Sequence, residues 1–266
     1  MDIVIMALLL STFAGLSTVI GGLLAFVIKR PRRYFLPFSL GLSAGVMLYI
    51  SFVELFPHAL AEIGEFKTAL AFFGGMVFIA IIDLIIPEME NPHHFQDGRG
   101  GHGKGHGRCR TSKAACNSAM MRTGMFTALA ITIHNFPEGI ATFATALNDI
   151  NLGVVIALAI ALHNIPEGIS VSVPVYCATG SKKLALKYSA ISGLAEPLGA
   201  IIAYLVLMPF LNDALLSVLL AAVAGIMVYI SVDEIIPAAY SYGKSHIVVI
   251  GVILGMAVMA FSLMVL

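Results

Sequence analysis

Residues 44–59 read AGVMLYISFVELFPHA, and residues 224–239 read AGIMVYISVDEIIPAA. Nine of the sixteen positions are identical: Ala44, Gly45, Met47, Tyr49, Ile50, Ser51, Glu54, Pro57 and Ala59 match Ala224, Gly225, Met227, Tyr229, Ile230, Ser231, Glu234, Pro237 and Ala239. Each copy lies in a long apolar run. The chain is 59% hydrophobic and only 11% charged, with a mean hydropathy of +0.96. A soluble domain carries roughly 25% charge. A chain this apolar could not cover its own surface with polar groups, so its solvent is lipid.

A helix needs about 20 apolar residues to cross the hydrocarbon layer. Eight runs qualify: 3–28, 35–60, 68–86, 123–147, 152–177, 184–211, 214–238 and 247–266. The first is too long for the core of a signal peptide and has only Asp2 before it, so it reads as a retained span. Most connections are short, which makes successive helices antiparallel. Lys29, Arg30, Arg32 and Arg33 fall in the first connection, and Arg99, Lys104, Arg108, Arg110, Lys113 and Arg122 in the third. Lys182, Lys183 and Lys187 fall in the fifth, and Lys244 in the seventh; only Lys67 lies on the other side. Cytoplasmic loops carry the excess of Lys and Arg. The odd connections are therefore expected in the cytoplasm, with both termini outside. Asp2, Glu62, Glu65, Asp149 and Asp213 mark the outer side, as solvated loop residues or as a field that gathers cations.

In that topology the two copies of the repeat run in opposite directions, the pattern of an inverted repeat in a secondary transporter. A weaker echo pairs Gly15, Leu16 and Gly21 with Gly193, Leu194 and Gly199. The reading is one transmembrane domain over 1–266, all-α, with a single long connection at 88–122. That connection is rich in Gly and basic residues and carries His93, His94, His102, His106, Cys109 and Cys116. It is expected to be a disordered cytoplasmic loop, either metal-collecting or incidental in its histidines. Residues 98–104 fit GxxxxGK, but Gly105 stands where Ser or Thr is needed and no strand precedes it, so no phosphate loop is read there. Three cysteines give no disulfide framework. Cys177, at a span end, is expected to be a buried small apolar residue. Zero net charge gives no sign of a nucleic-acid partner.

The chemistry sits in spans four and five. Residues 134–139 read HNFPEG and residues 163–168 read HNIPEG, each about midway through its span. His and Glu at i and i+4 share one helix face. His134, Glu138, His163 and Glu167 thus form an N₂O₂ donor set, enough for tetrahedral Zn²⁺. Asn135 and Asn164 extend it toward a second, more oxygen-rich ion. Pro137 and Pro166 remove helix hydrogen bonds and are expected to kink the helices beside a protein-lined cavity. A third carboxylate, Glu196, lies inside span six. Each buried ionisable side chain costs roughly 2.5–3.5 kcal/mol at the midplane, so a shared cation explains their presence. Glu54, Asp83, Asp233 and Glu234 lie nearer span ends, as water-reached carboxylates or as part of the path.

With these motifs the chain resembles the ZIP (ZRT/IRT-like) metal transporter family, closest to its bacterial type, over essentially its whole length. The resemblance implies a 3+2+3 arrangement, with spans four and five between two inverted three-helix repeats. It implies one metal site at His134, Glu138, His163 and Glu167. A second would comprise Asn135, Glu138, Asn164, Glu167 and Glu196, the two glutamates bridging. The expected protein is a multi-pass carrier in the inner (cytoplasmic) membrane with no prosthetic group. It imports Zn²⁺ first among divalent metals that include Fe²⁺, Mn²⁺, Co²⁺ and Cd²⁺, by alternating access. Its partners would be those ions and the lipid bilayer, with a homodimer compatible. Two other readings use the same ligands: a membrane di-metal oxidase, and a cation/proton antiporter. Di-metal oxidases favour Glu-x-x-His over the His-x-x-x-Glu found here.

Overall fold

The computed structural model describes residues 2–27, 34–85, 113–210, 212–241 and 245–265. All regular structure among them is helical. In chain order the helices are α1 (Ile3–Val27), α2 (Phe35–Ile50), α3 (Phe56–Ile63), α4 (Glu65–Ile85), α5 (Lys113–Asn148), α6 (Ile150–Thr179), α7 (Lys182–Ile202), α8 (Asp213–Ile230), α9 (Ile236–Ser241) and α10 (Ser245–Val265). Single π turns, Ser51–Leu55 and Ser231–Ile235, fuse α2 to α3 and α8 to α9. Seven of the resulting helices are long and apolar enough to cross a membrane. They do not include α5, which nevertheless contains the whole expected fourth span.

Tight turns enforce the antiparallel order. A single residue, Asp149, separates α5 from α6, and its carboxylate accepts from Asn151 N at 2.8 Å and Leu152 N at 3.3 Å. This N-cap satisfies amides that a helix start leaves without partners. Gly180 closes α6 at φ 69, in the left-handed region where a side chain would be strained. Ser181 Oγ then caps α7 through Leu184 N at 3.2 Å, and Asn212 caps α8 through Leu215 N at 2.9 Å.

Two expectations are corrected. The long connection was placed at 88–122, but α5 begins at Lys113, so its last ten residues are helix. The rest of the loop, with His93, His94, His102, His106 and Cys109, lies outside the described residues. Cys177 is exposed rather than buried. It stands in the last turn of α6, where the helix side has left the core. The prolines, finally, do not end their helices: α5 continues through Pro137, and α6 through Pro166 and Pro174.

The helices pack in two groups of four. One comprises α1, α5, α6 and α7; the other α2, α4, α8 and α10. They meet chiefly where α2 lies on α6 and α5 on α8. Within each group, contacts come in matched pairs. Gly15 and Gly193 pack reciprocally, each against the backbone of the other. Gly139 packs on the Glu196 carbonyl, and Gly168 on the Thr18 carbonyl. Gly45 packs on the Val252 carbonyl, and Gly225 on the Phe72 carbonyl. The quoted repeat folds identically in its two copies: Ser51 Oγ donates to the Met47 carbonyl and Ser231 Oγ to the Met227 carbonyl, each at 2.7 Å and each opening a π turn. At one end of the bundle, His58 and Glu62 of α3 share a cavity of about 220 Å³ with Asn148, Asp213 and Ser217. The end of α3 thus meets the start of α8, so the two repeat copies run in opposite directions.

Candidate metal centre

Both hexapeptides lie deep inside α5 and α6. The face that carries His134 and Glu138 on α5 meets the face that carries His163 and Glu167 on α6. Glu138 Oε1 lies 3.1 Å from His134 Nε2 and 3.1 Å from His163 Nε2. Glu167 Oε1 lies 3.6 Å from His134 Nε2. One donor atom each from His134, His163 and Glu167 fall within 4.8 Å of one another. Glu138 stands outside that mutual trio, yet it is the carboxylate nearest to each imidazole.

The 3.1 and 3.6 Å separations between carboxylate and imidazole are those expected between ligands of one ion. With zinc bonds of about 2.0–2.1 Å, ligand atoms sit about 3.3 Å from one another. All four side chains are buried: His134 is 2% exposed, Glu138 1%, His163 0% and Glu167 2%. Imidazole nitrogen and carboxylate oxygen are the donors that borderline divalent ions prefer.

The remaining expected residues frame this cluster and are likewise buried. Asn135 donates from Nδ2 to the Ser192 carbonyl at 3.2 Å. Asn164 donates from Nδ2 to the Ala14 carbonyl at 3.1 Å and also to Glu196 Oε1. Turning each amide by its NH₂ group leaves Asn135 Oδ1 and Asn164 Oδ1 without hydrogen bonds. Glu138 Oε2, Glu167 Oε2 and Glu196 Oε2 are equally unpartnered. Buried oxygen atoms are normally satisfied. Five orphaned oxygens on residues that frame the cluster are donors with the chemistry for a cation.

Three neighbours were not singled out in the sequence. Ser43 of α2 donates to the His163 carbonyl at 3.3 Å and to Glu167 Oε1 at 3.4 Å, which ties the second helix group to the centre. Ser192 and Ala14 supply the carbonyls that orient the two asparagines. Of the carboxylates nearer span ends, Asp83 is buried, whereas Glu54 and Glu234 are partly buried and Asp233 is exposed.

A family model described as "ZIP Zinc transporter" matches residues 86–263. The chain is also similar along its length to curated proteins named "Zinc transporter ZupT". That of Oceanobacillus iheyensis is 52% identical, covering all of both chains. That of Streptococcus mutans is 51% identical over 97% of this chain and 96% of the relative. That of Akkermansia muciniphila is 50% identical over 98% of each.

The chain belongs to the ZIP zinc transporter family. Within ZIP, the bacterial type expected from the motifs is the ZupT type of these relatives. ZIP is a family of transporters and not of enzymes, so the di-metal oxidase reading loses its ground. Together with the seven membrane-capable helices, ZIP membership makes the chain a multi-pass membrane protein.

Proposed function

We propose that this protein imports divalent transition-metal ions, Zn²⁺ first, across the cytoplasmic membrane. Fe²⁺, Mn²⁺, Co²⁺ and Cd²⁺ are further substrates on this reading. The observation that carries it is the meeting of His134, Glu138, His163 and Glu167 in one buried centre, with donors of His134, His163 and Glu167 within 4.8 Å of one another and Glu138 3.1 Å from both imidazoles. The relatives' name supports the choice of zinc. The orphaned oxygens of Asn135, Asn164 and Glu196 support a second ion, bridged by Glu138 and Glu167.

The architecture we adopt has eight spans, α5 being the fourth, in a 3+2+3 order with both termini outside. The matched glycine contacts and twin π turns support the inverted repeat. Glu62 and Asp213, at the same end of the bundle as Asn148, then lie on the outer face, where their field draws in cations. Ions shed water at the buried ligands and leave toward the basic cytoplasmic side. Alternating access follows from the division into two groups. The unit of α1, α5, α6 and α7 carries all seven ligands and slides or rocks against α2, α4, α8 and α10.

The test is ⁶⁵Zn²⁺ uptake into proteoliposomes at matched incorporation. Saturable uptake is expected from the parent, with at least a tenfold loss in His134→Ala and in Glu167→Ala. Metal binding without any flux in the parent overturns the reading.

A further inference from the structure

The matched contacts assign a partner to nearly every residue at the centre. Asn135 on Ser192 corresponds to Asn164 on Ala14. Gly139 against Glu196 corresponds to Gly168 against Thr18. The Glu196 Cβ would stand 3.3 Å from a Cβ built at Gly15, and the Thr18 Cβ 3.2 Å from one built at Gly193. Thr18 on α1 therefore occupies the position that Glu196 occupies on α7. By the same correspondence Thr18 is to Asn135 what Glu196, which accepts from Asn164, is to Asn164.

Thr18 is one of five buried hydroxyls among the described residues without a hydrogen-bond partner, with Ser11, Thr68, Thr142 and Thr145; of these it is the one that the matched contacts set opposite Glu196. Thr12 gives its proton to the Leu8 carbonyl at 2.7 Å and Thr132 to the Ala128 carbonyl at 2.6 Å; Ser17, next in the chain, gives its own to the Ala14 carbonyl at 2.6 Å. Thr18 Oγ1 is fully buried and has no such partner, and the same is true of Asn135 Oδ1. Two neutral oxygens thus stand unsatisfied at the uncharged counterpart of a carboxylate–amide pair.

We propose that Thr18 is a substrate-contacting residue: with Asn135 Oδ1 it forms a neutral-oxygen half-site for the carried divalent cation, opposite the charged half formed by Glu196 and Asn164. This rests on the transport reading above. Hydroxyl and amide oxygens replace water around a divalent ion without adding charge. The centre therefore holds its ion firmly on the Glu196 side and loosely on the Thr18 side, and an ion can shift between them without leaving the oxygen shell.

The experiment compares Zn²⁺ uptake by the reconstituted full chain with its Thr18→Val, Thr18→Ser and Thr18→Cys variants. Valine keeps the shape and deletes the oxygen. Thr18→Val is expected to raise the KM for Zn²⁺ about fivefold, the effect of one polar contact, with the maximal rate and thermal midpoint unchanged. Thr18→Ser is expected to return the KM to the parent value. Thr18→Cys, which swaps a hard donor for a soft one, is expected to shift preference from Zn²⁺ toward Cd²⁺. A parental KM and Cd²⁺/Zn²⁺ ratio in the valine and cysteine variants, while the parent transports, overturns the Thr18 assignment alone. Absence of saturable uptake in the parent overturns the transport reading itself, and the Thr18 assignment with it.

Discussion

Glu138 Oε1 lies 3.1 Å from Nε2 of both imidazoles, so a proton and a metal ion compete for the same few donor atoms. Metal needs the imidazoles neutral and the carboxylates ionised. Uptake is therefore expected to fall as pH is lowered, by up to about tenfold per unit for each proton that must be displaced. Initial rates of ⁶⁵Zn²⁺ uptake between pH 7.5 and 5.5, at equal free metal, check this; a flat profile sinks the competition. At this scale the sequence was generous where residues were costly. Two histidines, two asparagines and three glutamates inside apolar runs announce themselves, because lipid penalises each. Ser43 and Thr18 do not, because small hydroxyl residues pack in membrane helices without penalty. Only their neighbours in space reveal which of them face the centre.

At the scale of elements, glycine contacts hold the helices at backbone distance. A Cβ at Gly139 would run into the Glu196 carbonyl, and a carbonyl cannot swing aside as a side-chain end can. Gly139→Ala is thus expected to destabilise the protein by about 1–3 kcal/mol and to lower its thermal midpoint in detergent. Gly74→Ala, with nothing within 4 Å of the added methyl, is the matched control and is expected to leave the midpoint unchanged. Hydropathy located the spans because lipid exposure demands apolar residues. It did not find the first turns of α5, since Lys113, Asn117, Ser118 and Arg122 interrupt the apolar run there while the helix continues through them. Nor did it disclose the π turns. The repeat aligned Pro57 with Pro237, but a proline says only that its i−4 carbonyl loses a donor. The chain absorbs that loss by widening one turn at each place.

For the molecule as a whole, the seam between the two helix groups is the feature that transport must exploit. Ile79 and Ile82 of α4 face Ile133 and Pro137 of α5 across an apolar groove. Ile82→Cys and Ile133→Cys, in a chain whose own cysteines are replaced by serine, permit a short reducible cross-link between the groups. Linked protein is expected to bind Zn²⁺ with parental stoichiometry yet lose at least nine-tenths of its uptake, and reduction should restore it. Full transport by the linked form would mean that the groups do not move relative to one another. The opposed orientation of the repeat was legible from sixteen residues and the distribution of lysine and arginine. The grouping of α1 and α7 with α5 and α6 was not, because it depends on which glycine faces which carbonyl.

Those reciprocal glycine contacts also bear on descent. Where one half of a doubled molecule is the other half's neighbour, a change in either copy is felt in both, and drift is held back. Gly15 and Gly193 are alike in the two copies, as are Gly139 and Gly168. Thr18 and Glu196 sit among the same contacts and differ. A difference confined to one matched position, within contacts that otherwise repeat, gives a doubled molecule a preferred side.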